Sequence, residues 1–308
     1  MRHAWIVPIV MLGCVACEST TEEAKTEAPA AEGKPEASSK AAGKPGDAQQ
    51  ERLVTLGGTV TEIVYALGAG DQVVAVDVSS LHPPAAQKLP KVGYYRKIAA
   101  ESILSLRPNR VLASEGTGPE AALEQLRSAG VKVELIASDK TAASARSQIE
   151  TLGEKLGRAE QAKKVVAQLE ADLAKAKTAR DAITKPPRVL FIYARGMKVL
   201  MVGGRDTPAD AMITLAGGAN AVTAFEGFKP LTPEAVVQAN PDVVLLPSHG
   251  LESLEGGLWS LPGLAQTQAG KKKAVITIDD LKLLGFGPRM GEALSELSAE
   301  LSKVEVSP

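Results

Sequence analysis

Thiols and imidazoles are the side chains with the widest chemistry, and this 308-residue chain has only two cysteines and three histidines. Cys14 and Cys17 both lie near the start. Everything downstream therefore lacks a disulfide framework, a thiolate-bound zinc or iron–sulfur cluster and a cysteine nucleophile. Cys14-Val15-Ala16-Cys17 reads as C-x-x-C, but no histidine follows and no βαβ pattern surrounds it, so redox or haem-attachment chemistry has no context. His3, His82 and His249 leave little for a multi-histidine metal site. No G-x-x-x-x-G-K-[ST] phosphate loop occurs, and Gly285-Phe286-Gly287 runs into Pro288 without dinucleotide-binding spacing. No G-x-S-x-G elbow appears, and the carboxylates are too scattered to single out an acid/base pair. The expectation is a protein that is not an enzyme.

Composition narrows the remaining classes. Apolar residues make up 44%, enough for one or two well-filled cores. The formal charge is -1, from 35 basic and 36 acidic side chains, which argues against a nucleic-acid partner. Aromatic residues are only 3%, too few for a stacking platform.

The first residues read as an address. Met1-Arg2-His3 is a short positive start, Ala4 to Leu12 is apolar apart from Pro8, and Gly13-Cys14 follows. The run is too short to span a bilayer but suits a signal h-region. Met11-Leu12-Gly13-Cys14 resembles a bacterial lipobox, with Cys14 as the lipidated residue and Cys17 as the alternative. Residues 18–51 are dominated by Ala, Glu, Lys, Pro, Ser and Thr, and so cannot offset their ordering entropy. The expectation is an exported, lipid-anchored protein: signal 1–17, disordered tether 18–51, and a folded body beyond.

Two α/β stretches must position any binding groups. Arg52–Leu56 reads as a buried strand ending at Gly57-Gly58. Thr59 to Leu67 has helical spacing, with Thr59 as N-cap and Glu62 at the capping-box position. Strands are expected at 73–76, 110–113 and 131–136, and helices near 100–106 and 120–129. This alternation argues a mostly parallel sheet covered by helices. Thr141 to about Ile183 then carries apolar residues near helical spacing, interrupted only by Gly153 and Gly157 before Pro186-Pro187. That is one long helix, or two joined at the glycines; its apolar seam is too irregular for a coiled coil. Beyond it the alternation returns, with strands at 188–193, 243–247 and 274–278 and helices at 209–216, 233–239 and 289–304. The halves also share a pattern: Glu101 to Pro108 and Glu234 to Pro241 each give a helix and a Pro stop, then a strand and a turn at Glu115-Gly116 or His249-Gly250. The expected division is an N-terminal lobe 52–140, an interlobe helix 141–185 and a C-terminal lobe 186–308.

Two α/β lobes joined by a long helix resemble the helix-linked (class III) periplasmic substrate-binding proteins, which serve ABC importers of vitamin B12, siderophores and haem. Within that class the chain is most similar to the haemin-binding, HmuT-type group. The stretches that carry the resemblance are Gly57-Gly58-Thr59-Val60-Thr61-Glu62 onward to Gly68, and Leu89-Pro90-Lys91-Val92-Gly93-Tyr94-Tyr95-Arg96. The second half adds Gly204-Arg205-Asp206-Thr207-Pro208-Ala209-Asp210, Gly250-Leu251-Glu252-Ser253-Leu254 and Leu284-Gly285-Phe286-Gly287-Pro288-Arg289. The resemblance implies two Rossmann-like lobes with mostly parallel sheets, haem captured between them as cargo, and delivery to an ABC permease and its ATPase. Cobalamin or a ferric siderophore is the alternative cargo. A structural or adhesive surface lipoprotein would instead show a closed, polar cleft.

The resemblance also implies site residues. The Tyr after Val-Gly, here Tyr94, is the axial ligand of the haem iron, and a phenolate is a hard anion suited to Fe(III). Tyr95 is its nearest rival. The group often has an Arg before the Gly-Leu-Glu-Ser-Leu stretch; here that position is His249, whose imidazole could hydrogen-bond the tyrosinate or ligate the iron's sixth position. Arg96 and Arg289 are candidate partners of the haem propionates, and Met197 and Phe286 candidate cleft contacts. Glu101 and Glu234, at matching places in the repeat, are the expected permease-docking carboxylates.

Overall fold

Leu53, Val54, Thr55 and Leu56 are fully buried, and this run forms β1 (Leu53–Leu56), an inner strand of the first lobe. The structure is a computed structural model that describes residues 51–306. The expected signal, Cys14 and Cys17, and the tether up to residue 50 lie outside the described residues. Glu51, placed in the tether by the sequence, accepts a 2.8 Å hydrogen bond from Arg110 Nη1.

After β1 come α1 (Gly58–Ala66), β2 (Val73–Val76), α2 (Pro84–Gln87), β3 (Gly93–Tyr94), β4 (Lys97–Ile98), α3 (Ala100–Leu104), β5 (Arg110–Ser114), α4 (Glu120–Ser128) and β6 (Lys132–Ile136). Four of these strands make a parallel sheet in the order β2-β1-β5-β6. Parallel neighbours need crossovers, which α1, α3 and α4 supply. The short β3 and β4 pair only with each other, antiparallel.

The connection to the second lobe is two helices, α5 (Ala142–Lys155) and α6 (Ala159–Asp181), rather than one. The break falls at Gly157, whose φ of +64° is the left-handed conformation that ends helices and that glycine adopts without strain. Thr141 starts α5 by accepting from the Ser144 N–H at 3.1 Å.

The second lobe comprises β7 (Arg188–Ala194), β8 (Leu200–Gly203), α7 (Pro208–Leu215), β9 (Ala219–Asn220), β10 (Phe228–Pro230), α8 (Pro233–Ala239), β11 (Val243–Pro247), α9 (Ser248–Glu252), α10 (Gln268–Lys272), β12 (Val275–Ile278), α11 (Asp280–Leu284) and α12 (Met290–Leu301). Its sheet runs β10-β8-β7-β11-β12, with β9 also beside β7. β8 is antiparallel to both β7 and β10, so this sheet is mixed. Strands of two to four residues such as β8, β9 and β10 are too short to show a period in sequence. The repeat seen in sequence is conformational too. Arg107 and Asn240, each just before its proline, are both left-handed, with φ of 50° and 36°.

One apolar core runs through the lobes and the connecting helices, from Leu53 and Ile63 through Ile149 and Leu169 to Phe191, Met212 and Leu294. α12 packs along α6. Gly291 allows the close approach, because a β-carbon there would lie 2.7 Å from the Leu169 carbonyl oxygen. The expected capping roles of Thr59 and Glu62 are replaced by interlobe ones. The cap position is Gly57 and carries no side-chain cap. Thr59 Oγ1 donates to the Gly285 carbonyl at 2.7 Å, and Glu62 accepts from Arg289 Nε at 2.7 Å and Nη2 at 3.2 Å. A nearby second lobe offers these side chains stronger partners than their own helix end does.

Candidate functional site

A cleft of about 580 Å³ lies between the lobes, within the size range of cofactor pockets. Its walls come from the loops at the carboxyl ends of the parallel strands, where open α/β sheets characteristically bind ligands.

The first-lobe wall is built around the β3–β4 hairpin, in which Tyr94 pairs with Lys97 and Tyr95-Arg96 form the turn. Its backbone is tied to the loops after β2 and β5 by Val78 N–H to the Gly93 carbonyl at 2.9 Å and Gly118 N–H to the Tyr95 carbonyl at 3.0 Å. The main fastening is Asp77, fully buried. Its carboxylate accepts from the N–H groups of Gly57 (3.0 Å), Ser79 (3.1 Å) and Tyr95 (3.4 Å) and from the hydroxyls of Ser79 (2.6 Å) and Ser80 (2.8 Å). A buried charge needs this many donors. Gly57 is required beside it, since its φ is +98° and a β-carbon would sit 2.1 Å from Ser114 Oγ.

Tyr94 lines the cleft with 44% of its surface exposed and packs edge-on against Tyr95, ring centres 4.9 Å apart. Tyr95 is more enclosed. Arg96 Nε donates to its hydroxyl at 2.9 Å, with the guanidinium 5.0 Å over its ring. Burial pushes the Tyr95 phenol above its ordinary pKa, the Tyr94 oxygen adds to this, and Arg96 only partly opposes it. Tyr95 is therefore held as a neutral phenol, and Tyr94 presents the open one.

The second-lobe wall holds a pair that sequence reading missed. Tyr193 in β7 and Arg195 just beyond it both line the cleft. Arg195 Nε donates to the Tyr193 hydroxyl and its guanidinium lies 5.5 Å over that ring. The available signal was the Tyr-x-Arg spacing at the end of an expected strand, the same spacing as Tyr94 to Arg96. Asp280 lies nearby in the lining. Burial raises its carboxyl, while the His249 N–H and the charges of His249 and Arg195 pull the other way.

Several sequence candidates stand elsewhere. His249 is not among the lining residues. The expected turn after β11 is instead the helix α9, which leaves the His249 side chain 73% exposed, its Nδ1 3.8 Å from Glu252. Its N–H donates to Asp280 Oδ1 at 3.4 Å. Arg289 is taken by Glu62 and, at 3.2 Å, by Asp279, and does not line the cleft. Met197 is exposed in the connection between β7 and β8 and is likewise not in the lining. Phe286 does line it, but as a core residue, with its backbone left-handed at φ 50°. That conformation is costly for an aromatic residue and is typical of ligand-clamping segments. Glu101 and Glu234 sit in the first turns of α3 and α8, exposed and in no ion pair among the described residues.

Residues 53–281 match the family model described as periplasmic binding protein. The solved periplasmic heme-binding protein RhuT from Roseiflexus sp. RS-1, in apo form, is 44% identical, with 82% of this chain and 98% of that one covered and a TM-score of 0.78. The periplasmic heme-binding protein BhuT, solved in complex with two hemes, is 38% identical over 82% of this chain and 98% of that one, with a TM-score of 0.76. A vitamin B12-binding protein of Photorhabdus laumondii is 29% identical over 255 residues, 82% of this chain and 88% of its own. Two α/β lobes on a helical connection, a cleft between them and a family match over most of the described chain agree: this protein belongs to the periplasmic binding protein family.

Proposed function

We propose that the chain is a substrate-binding protein that captures haem between its lobes and delivers it to an ABC importer. It acts by binding and release, not by catalysis. The observation that carries the reading is that each lobe contributes a tyrosine–arginine neighbourhood to one cleft. Two phenols suit a ferric ion carried inside a macrocycle. Guanidinium groups beside them offer forks for carboxylates. Tyr94 is the iron ligand. Tyr193, rather than His249, supplies the partner from the second lobe, as a ligand of the same iron or of a second haem. The relatives solved with this fold are named heme-binding proteins, one in complex with two hemes.

Cobalamin is the second reading, favoured by the vitamin B12-binding relative. Its metal is already held by its own ligands, so Tyr94 and Tyr193 would be dispensable. Glu101 and Glu234 are the proposed docking carboxylates, one on each lobe, for arginines of a two-fold permease. The proposed location is the periplasmic side of a membrane, with a lipid on Cys14 or Cys17 as the anchor. The domain division at residues 52–140, 141–185 and 186–308 is part of the same proposal.

Titrating the full chain with ferric haemin tests the reading, with Tyr94→Phe and Tyr193→Phe in parallel. A saturable Soret change with tyrosinate charge-transfer bands, lost in Tyr94→Phe, is the expected result. A change that survives both substitutions moves the ligand to Tyr95 or His249. No saturable change removes haem and makes cobalamin the next probe.

A further inference from the structure

The cleft is lined by three cationic side chains, Arg96, Lys140 and Arg195. The two arginines donate to phenols of their own lobes. Lys140 is different. It lies in the loop between β6 and α5, and its ammonium crosses to the second lobe, donating to the Asp206 carbonyl at 2.7 Å and to the Asp206 carboxylate.

We infer that Lys140 is an exchangeable latch: it ties the lobes through Asp206 when the cleft is free and transfers to a carboxylate of the ligand when the cleft is filled. This rests on the haem reading, since haem carries two propionates.

Three observations support exchange. The pair is open to water, with 37% of the Lys140 and 73% of the Asp206 side chain exposed, so solvent screens it and its loss costs little. Lysine has a compact charge on a flexible four-carbon stem, and Lys140 already borders the cavity it would turn into. Asp206 is held ready on the other side. Its backbone is left-handed at φ 59°, its N–H donates to Asp210 Oδ2 at 3.0 Å, and Thr207 caps α7 next to it. This gives the Gly204–Asp210 stretch, conspicuous in the sequence, a task at the cleft rim.

The contrast with the interlobe ion pair of Arg289 is informative. Arg289 grips Glu62 through two nitrogens, with Glu62 95% buried, and neither residue borders the cleft. That tie has no competitor. The Lys140–Asp206 tie has one whenever an anionic ligand enters, so loading removes one of the contacts holding the lobes together. Loaded and free forms then differ in interlobe contact, which gives a permease two states to distinguish.

The test compares wild type, Lys140→Met, Lys140→Arg and Asp206→Asn in the full chain, each titrated with ferric haemin and with haemin dimethyl ester, whose propionates carry no charge. Asparagine tolerates the left-handed backbone at 206. Lys140→Met should weaken haemin binding roughly tenfold and leave the ester unchanged. Lys140→Arg should restore most of the loss, and Asp206→Asn, by leaving Lys140 only the backbone carbonyl on that side, should tighten haemin about threefold. Wild-type binding with Asp206→Asn neutral or weaker, or with Lys140→Met weakening the ester equally, overturns the latch and leaves the haem reading standing. No saturable change in wild type overturns both.

Discussion

In the first lobe the open cleft-lining phenol, Tyr94, stands on a two-stranded hairpin outside the main sheet, whereas in the second Tyr193 stands on an inner strand of a six-stranded sheet. Tyr193 is fixed by the β7–β8 ladder, with Met201 opposite it, on a strand whose earlier residues also pair with β11 and β9. Tyr94 pairs with Lys97 in a hairpin that joins no larger sheet, and a two-stranded hairpin alone is marginally stable. Its place depends on Asp77, which collects donors from the end of β1, the loop after β2 and the hairpin turn. Similar side chains thus reach one cleft with different support. The first lobe's wall can be displaced by one substitution; the second lobe's requires disrupting a sheet.

The comparison can be broken in order of effect. Tyr94→Phe should lower haemin affinity by roughly a hundredfold and Tyr193→Phe by roughly tenfold, as for loss of the principal ligand against loss of its second-lobe partner. Equal losses in the titration would mean the lobes contribute alike. Asp77→Ala should cost about 3 kcal/mol in urea unfolding, because several buried donors lose their acceptor. It should also weaken the tyrosinate bands to the part that Tyr193 contributes; bands unchanged from wild type would show that the hairpin stands without it. Glu62→Gln should cost about 2–3 kcal/mol, less than the full loss of a buried pair, because Arg289 keeps Asp279. Hydrogen exchange should then rise in α1 and at 285–289 together; a rise in one lobe only would mean the tie does not couple them.

The smallest effect concerns acid. Glu134 on β6 is penalised by burial, but Lys155 and Arg110 donate to it and hold its pKa at about 2, below its ordinary 4.5. A carboxyl depressed in the folded state stabilises the fold above its unfolded pKa, and that contribution is lost as pH falls from about 4.5 toward 2. Melting temperature should therefore drop over this window in wild type. The drop should be smaller in Glu134→Gln, and an identical acid profile for the variant would place the sensitivity elsewhere.

Much of the architecture was legible because it rests on local regularities. The runs at 73–76, 233–239 and 243–247 form the elements their periodicity implies. The Glu-to-Pro repeat predicts matched helix ends that fold into matched left-handed turns at Arg107 and Asn240. Long-range partnership was hidden. Glu62 reads as a capping residue because its helix start is close in sequence, while Arg289, which it binds, is 227 residues away. His249 reads as a turn residue facing the cleft, yet Ser248–Glu252 closes into a helix and leaves it in solvent. Asp77 carried no signal, since an aspartate after a strand is an ordinary turn residue until its donors converge.

By itself the sequence determined the order of the longer strands and helices, the kinship of the two halves and the short set of groups able to hold a metal-bearing ligand. Those features depend on composition, period and residue type, which the chain carries locally. Only the tertiary structure decided that Tyr193 and Arg195 share the cleft with Tyr94, that Arg289 is committed to Glu62, and that Lys140 meets Asp206 across it. A side chain's role is set by what it is buried against and what charge stands beside it, and both come from segments distant in the chain.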